Sequence, residues 1–445
     1  MRRANIETPG RSDAGVLGKI KERQAEWILL TALALNIVEG SLRKWVIGSQ
    51  GNPLNHLAYF SKDIIFALLL LLPARGPSFP ALEVFRRWLL PGCFLLVAGA
   101  LISSAQGYNL VGAALTLRAV IFLPLIAFYA IPRITRGKFF SLHSVAWLLA
   151  LLTIINFALG ALQNSLPADH ILNRYAADSS EITEVKSGVR ATGTFSYITG
   201  MGVISTVGIW AGFLLISVSR NIWYQVVGLA VIASGFGCSL VAVARGPIII
   251  GVAMVVIWIL SSGALSLINI RSLMAGVLFV SLVFYFGLNQ KFSSLQEGLI
   301  ERHETAGDDI EDRSFGQLQE AIDALKEVPL GVGLGTEQIG GNYYKSGEMS
   351  FTTYETQFPR LVLETGFIGL SGFLLVCAGA ILALQAAKRT AATRNQKSIL
   401  LATQLLILPL CYLNVVFNHT ASAFVWIIFT AVLSAHYFEK YTKTY

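Results

Sequence analysis

Apolar residues dominate this chain in blocks. Stretches of about 20 residues, the length that crosses a bilayer core as a helix, recur from residue 26 onward between short polar turns. They predict spans at 26–42, 57–73, 88–105, 110–131, 139–163, 195–218, 222–244, 246–263, 271–289, 358–385, 398–417 and 421–438. The short alternating segments of a transmembrane β-barrel do not occur. The prediction is an all-α polytopic membrane protein with about 12 transmembrane helices. Its parts are a polar segment over 1–25, spans one to nine over 26–289, a large loop over 290–357, spans ten to twelve over 358–438 and a tail over 439–445. A second long connection, 164–194, lies between spans five and six.

Composition agrees with the pattern. The chain is 54% hydrophobic and 13% charged, where soluble domains carry about 25% charged residues. The net charge of +8 is a matter of topology and calls for no nucleic acid. With both termini inside, the segments predicted on the inner side hold 20 of the 34 Lys and Arg, as the positive-inside rule requires. No signal peptide with a cleavage site is evident at the start. The 290–357 loop then lies outside, and it carries 13 of the 26 Asp and Glu against 5 Lys and Arg. Within it, Leu318, Ile322, Leu325 and Val328 recur at helical spacing. They predict a short amphipathic helix lying on the outer membrane face, stopped by Pro329.

Four arginines stand out at external ends of spans or in external loops: Arg190, Arg245, Arg313 and Arg360. Arg245, in "VAVARGPIII", follows about 20 apolar residues and precedes a new apolar run. A guanidinium there either snorkels to the interface or lines a polar cavity, because burial in lipid is costly. As an anion clamp it would offer a planar fork that matches phosphate oxygens. Arg190, in "SGVRATGTF", precedes a span in the same way, with glycines that allow close backbone approach. Arg313 precedes the amphipathic helix, where pairing with Asp312 or Glu311 is an equally simple reading.

Other motifs carry less. "PLGVGLG" at 329–335 lacks the strand and helix of a dinucleotide loop and reads as a flexible turn. The acidic run 308–312 lacks the ligand spacing of a calcium loop. Cys93, Cys238, Cys377 and Cys411 lie in apolar spans without metal-ligand spacing, so neither a zinc site nor a disulfide framework is expected. The histidines sit in no nucleophile motif. Charges inside or near spans are Glu39 with Arg43, Lys62 with Asp63, Arg118, and Arg360 with Glu364. The first and last sets are i,i+4 pairs able to neutralise each other.

Three elements occur in order: "VRATGTF", "ARGPIII" opening a span, and "DRSFGQLQEAIDALKEVPLGVGLG" followed by "ETQFPRLVLETGFIGL". Over roughly 185–375 the chain thereby resembles the O-antigen ligase and polymerase superfamily. The resemblance implies a GT-C-like membrane glycosyltransferase of the bacterial cytoplasmic membrane that uses no metal and no cofactor. Its donor would be an undecaprenyl-diphosphate-linked oligosaccharide and its acceptor a growing polysaccharide. A flippase and a chain-length regulator would be its companions. Arg190, Arg245 and Arg313 match the positions that would hold the diphosphate, with Arg360 and Tyr354 as further substrate-binding candidates. The ligases carry a histidine nine residues before the glutamate of an E-x-G motif, here Glu364 to Gly366, and that position is Glu355. A carboxylate can act as general base there. The exchange favours a polymerase of O-antigen, capsule or exopolysaccharide repeat units over a ligase acting on a lipid or protein acceptor. A twelve-span carrier is the reading from another class.

Overall fold

The computed structural model of the protein describes residues 11–48, 53–73, 78–108, 110–135, 141–174, 184–185, 188–219, 221–262, 317–335, 357–413 and 419–437. Helix α1 (Arg11–Ser41) continues through a π-helical turn, Leu42–Ile47. Then come α2 (Pro53–Ala67), α3 (Pro80–Ser104) and α4 (Leu110–Leu117). A second π turn, Arg118–Phe122, joins α4 to α5 (Leu123–Thr135). After α6 (Leu142–Ser165) a two-residue hairpin, β1 (Glu184–Val185) and β2 (Gly188–Val189), is the only sheet among the described residues. The remaining helices are α7 (Ile198–Val218), α8 (Ile222–Val241), α9 (Arg245–Ser262), α10 (Gln317–Glu327), α11 (Gln357–Thr390), α12 (Arg394–Leu413) and α13 (His419–Tyr437).

Nine helices among the described residues are long and apolar enough to cross a membrane. The chain is therefore a helical, multi-pass membrane protein. Predicted span nine, 271–289, lies outside the described residues. The apolar part of α9, Arg245–Leu260, is shorter than the nine, and α12, which holds predicted span eleven, is not among them either. Several boundaries move, and two of the shifts have a clear local cause. Span three begins at Pro80 rather than 88, since Pro80 suits the first helical position and a Glu83–Arg86 ion pair of 2.8 Å carries its charged turn. Span ten runs on to Thr390, with Lys388 and Arg389 in the last turn, where cations suit the helix dipole.

Long-range bonds define the two ends of the bundle. At one, Ser144 meets Glu26, Arg133 donates to the Leu70 and Leu72 carbonyls, and Thr390 meets His436. This end carries Arg23, Arg86, Arg133, Lys388 and Arg389 and is called the basic end. At the other, Asn36 bonds the Thr420 carbonyl, Ala191 N–H bonds the Val241 carbonyl, and Tyr108 bridges Leu334. This is the loop end. Exposed Trp27, Trp88, Trp147 and Trp223 gather at the basic end, and exposed Tyr108 and Tyr197 at the loop end, as interfacial aromatic belts do. The centre is α7, nearly all of it buried, with Trp210 donating to Thr403 and Phe213 stacked on Trp258. Outward-facing Leu71, Phe94, Leu101 and Leu260 are each at least 70% exposed, an apolar exterior suited to lipid.

Helix α11 is broken. Gly366 has φ 63° and ψ −170° between two helical stretches. A left-handed φ costs glycine little and other residues more. The freed backbone groups find partners in the 329–335 turn: Val332 N–H donates to the Leu363 carbonyl at 2.6 Å, and Phe367 N–H to the Pro329 carbonyl at 3.0 Å. Non-helical backbone near a bilayer needs this kind of satisfaction. The "PLGVGLG" segment, predicted as a flexible turn, is thus docked into the break. Helix α10 differs from its prediction too. Ala321, Ala324, Leu325 and Val328 form its packed face, and Ala324, Leu325 and Val328 meet Val362 and Leu363 of α11, while Ile322 is exposed. The small alanines let α10 sit against protein rather than on lipid alone. A Cβ at Gly366 would lie 2.6 Å from the Pro329 oxygen. Gly366→Ala is expected to lower thermal stability in detergent, with about 1–3 kcal/mol from backbone strain alone. An unchanged melting temperature would show that the break is not needed.

Candidate functional site

Of the residues predicted to act, Arg190, Arg245 and Arg360 are described, and all three lie at the loop end. Arg313, Tyr354 and Glu355 lie outside the described residues, as does the acidic run 308–312. Arg190 and Arg245 come to one turn. The side chain of Arg190 donates from Nε to the Ala242 carbonyl at 3.0 Å. Three residues on, Arg245 opens α9, half-buried. Between them Val243 is fully buried with φ 50°. A β-branched residue rarely adopts this backbone, so the turn is held by its surroundings. Its N–H reaches the Leu240 carbonyl, and that of Ala244 the Ser239 carbonyl.

The "VRATGTF" segment that brings Arg190 there does not float as a loop. It leaves β2 and makes a turn, closed by Phe195 N–H on the Thr192 carbonyl at 3.0 Å, threaded between α1, α6 and α7. Gln163 Oε1 accepts from the N–H groups of Thr192 and Gly193 at 3.1 and 2.7 Å. Asn156 Oδ1 accepts from the N–H and hydroxyl of Thr194, whose hydroxyl also donates to the Ile37 carbonyl. Gly193, at φ 56°, is the position that needs a glycine. The Lys44 ammonium, 3% exposed, donates to Thr192 Oγ1 and to the Gly193 carbonyl, both at 2.8 Å. Arg43 beside it reaches Ser196 Oγ at 3.1 Å and the Asn55 side chain. Sequence reasoning passed over Lys44. Its signal was a second cation at the end of an apolar span.

Deeper along α2 lies a charged cluster. Arg118 clasps Asp63 through Nε and Nη2 at 2.7 and 2.8 Å. Lys62, fully buried, pairs with Glu39 at 3.1 Å and donates to the Tyr59 carbonyl at 2.9 Å. The predicted Glu39–Arg43 pair is present at 3.9 Å, longer than the Lys62 contact. The Tyr59 ring has cationic groups of Arg43, Lys62 and Arg118 at 5.1, 4.5 and 5.7 Å from its centroid. The adjacent residues Lys62 and Asp63 therefore serve different partners. Both π turns carry cations of this region, Arg43 and Lys44 in one and Arg118 in the other, and such turns occur frequently at functional sites.

The third part is the short first segment of α11. Arg360 is 3% exposed and Glu364 fully buried, six and two residues ahead of the break at Gly366. Glu364 Oε2 accepts from Thr116 Oγ1 at 2.5 Å. Thr116 lies two residues before Arg118, so α4 links the broken helix to the charged cluster. At about 1.5 Å per residue, the 34 residues of α11 would reach far beyond a core of about 30 Å. The part after Gly366 suffices to cross, which leaves Arg360 and Glu364 at the interface on the loop end. The outward face of α10 carries polar groups beside the exposed Ile322. Asp323 bonds Lys326 and Gln319, and the Lys326 bond holds its carboxyl below the usual range.

Chemically, the guanidinium forks of Arg190, Arg245 and Arg360 at this end are groups that suit an anion, while the buried carboxylates Asp63 and Glu364 already meet Arg118 and Thr116. The sequence matches no family model, and no curated protein matches it.

Proposed function

We propose that the protein is a membrane glycosyltransferase that polymerises undecaprenyl-diphosphate-linked oligosaccharide repeat units of O-antigen, capsule or exopolysaccharide. The observation that carries this reading is the meeting of Arg190 and Arg245 at one turn on the loop end. In this reading the basic end faces the cytoplasm by the positive-inside rule. The loop end faces outward from the bacterial cytoplasmic membrane, and the chain is a twelve-span, GT-C-like enzyme with 271–289 as span nine.

The reaction asks little of a cofactor. An acceptor hydroxyl attacks the anomeric carbon, the new C–O bond forms, and the bond to the diphosphate oxygen breaks with its electron pair. The hydroxyl proton passes to Glu355 as general base. Charge grows on the leaving diphosphate, and cations already in place there stabilise the transition state more than the ground state. Arg190, Arg245 and Arg313 have that role, with Arg360 and Tyr354 as substrate contacts. A flippase would supply the donor and a chain-length regulator would set the product.

The lipid-linked pool of a deletion strain tests this reading. Accumulation of single lipid-linked repeat units is the expected result. Finished long chains on the lipid would instead mean a ligase. Lipid-linked repeat units trapped on the inner face, with the outer pool depleted, would mean a carrier.

A further inference from the structure

We propose that Lys44 is a positioning residue that sets Arg190 in place, an inference that rests on the reading of Arg190 as a diphosphate ligand. Lys44 stands in the π turn that ends α1 and sends a buried ammonium sideways into the "VRATGTF" segment. Both its described hydrogen bonds go to that segment, to Thr192 Oγ1 and to the Gly193 carbonyl. Thr192 and Gly193 are also the residues whose N–H groups meet Gln163. Gln163 of α6 also donates to the Gly193 carbonyl, at 3.3 Å, so the segment is gripped at Thr192 and Gly193 from α6 on one side and by Lys44 at the end of α1 on the other. Arg190 lies two residues upstream, where Ala191 N–H and Arg190 Nε are tied to the Val241 and Ala242 carbonyls.

A merely structural lysine is a poor alternative here. Burying an ammonium at a membrane-spanning helix end is costly, and an apolar side chain would fill the same space without that cost. What an apolar side chain cannot do is bond the Gly193 carbonyl and the Thr192 hydroxyl together. Removing both bonds loosens the α1 side of the segment at Thr192 and Gly193, the part nearest Arg190, while Thr194 and Ser196 stay tied to Ile37 and Arg43, and Arg190 can shift relative to the 242–245 turn. Misplacement by about 1 Å is enough to lose a large part of a positioned group's effect.

Full-length protein in membranes, given lipid-linked repeat units, supports a double-mutant cycle. Lys44→Met is expected to lower kcat/KM by about tenfold or more, mainly in kcat, with the protein at its normal membrane level. Arg190→Lys is expected to lower it as well. The pair together should lose little beyond the larger single loss, because a displaced Arg190 has little left to lose. Thr192→Val, which deletes one acceptor and keeps the shape, should show a smaller loss with the same non-additivity, and it stands in if Lys44→Met does not accumulate. Fully additive losses, or a wild-type rate for both Lys44→Met and Thr192→Val beside a defective Arg190→Lys, would overturn the positioning role. A wild-type rate for Arg190→Lys and Arg190→Ala would instead sink the diphosphate reading beneath it.

Discussion

Arg245→Ala is expected to abolish polymer formation while the protein stays in the membrane at its normal level. Arg245 begins α9 at the loop end, half-buried, at the turn whose Ala242 carbonyl holds Arg190. Its guanidinium would meet the diphosphate as the glycosidic bond breaks, when the charge on the leaving oxygen is greatest. Loss of one preorganised donor to a developing oxyanion costs about 10²–10³ in kcat, enough to leave only short chains. Arg245→Lys keeps the charge and loses the planar fork, so it should retain a measurable fraction of the rate. Chain length on gels and turnover of purified lipid-linked donor are the two measurements. Fluorescence-detected size exclusion should show an unaltered peak. Normal chain length in Arg245→Ala, with protein at that level, would remove the clamp from the mechanism.

The spans were legible because a bilayer demands apolar blocks of a fixed length, and residues such as 142–165 or 198–218 have no other use for them. The ends of the spans were less legible. Arg86 and Arg87 hid the first turns of α3, because a local apolar count cannot see the ion pair with Glu83 or the effect of Pro80. The break in α11 was hidden for the opposite reason. "LETGFIGL" reads as continuous apolar helix, and only the docking of Pro329 and Val332, more than 30 residues earlier, compensates the interruption at Gly366. At the site, residue type pointed to Arg190, Arg245 and Arg360, since a cation beside an apolar span is conspicuous in any sequence. Partners were not legible. Asp63 looked tied to its neighbour Lys62, yet its partner Arg118 is 55 residues away, and Glu364 meets Thr116 across 248 residues. Lys44 escaped notice because a cation at a span end so often snorkels to water. Only the path of the "VRATGTF" backbone shows that it points inward.

Asp63→Ala should be strongly destabilising. Asp63 and Arg118 are both largely shielded, at 13% and 7% side-chain exposure, and joined by two hydrogen bonds. Removing one partner of a buried pair leaves the other charge poorly met, at a cost of about 3–5 kcal/mol. Glu39 cannot readily replace Asp63, because Lys62 already holds it at 3.1 Å. The Tyr59 ring, at 5.7 Å from the guanidinium carbon, offers only a cation–π contact of about 0.5–2 kcal/mol. The thermal midpoint in detergent should therefore fall sharply in Asp63→Ala. Replacing both members, as in Asp63→Leu with Arg118→Met, should recover much of the loss, because a well-packed apolar pair often equals or exceeds a buried ion pair in stability. Stability and activity should then part. The double variant would fold, yet α4 carries Thr116 to Glu364 from the same stretch of helix, and a reset of that helix would show as a reduced polymer yield. A wild-type midpoint for Asp63→Ala would mean that the Arg118 charge is met by other groups and that the clasp contributes little to the fold.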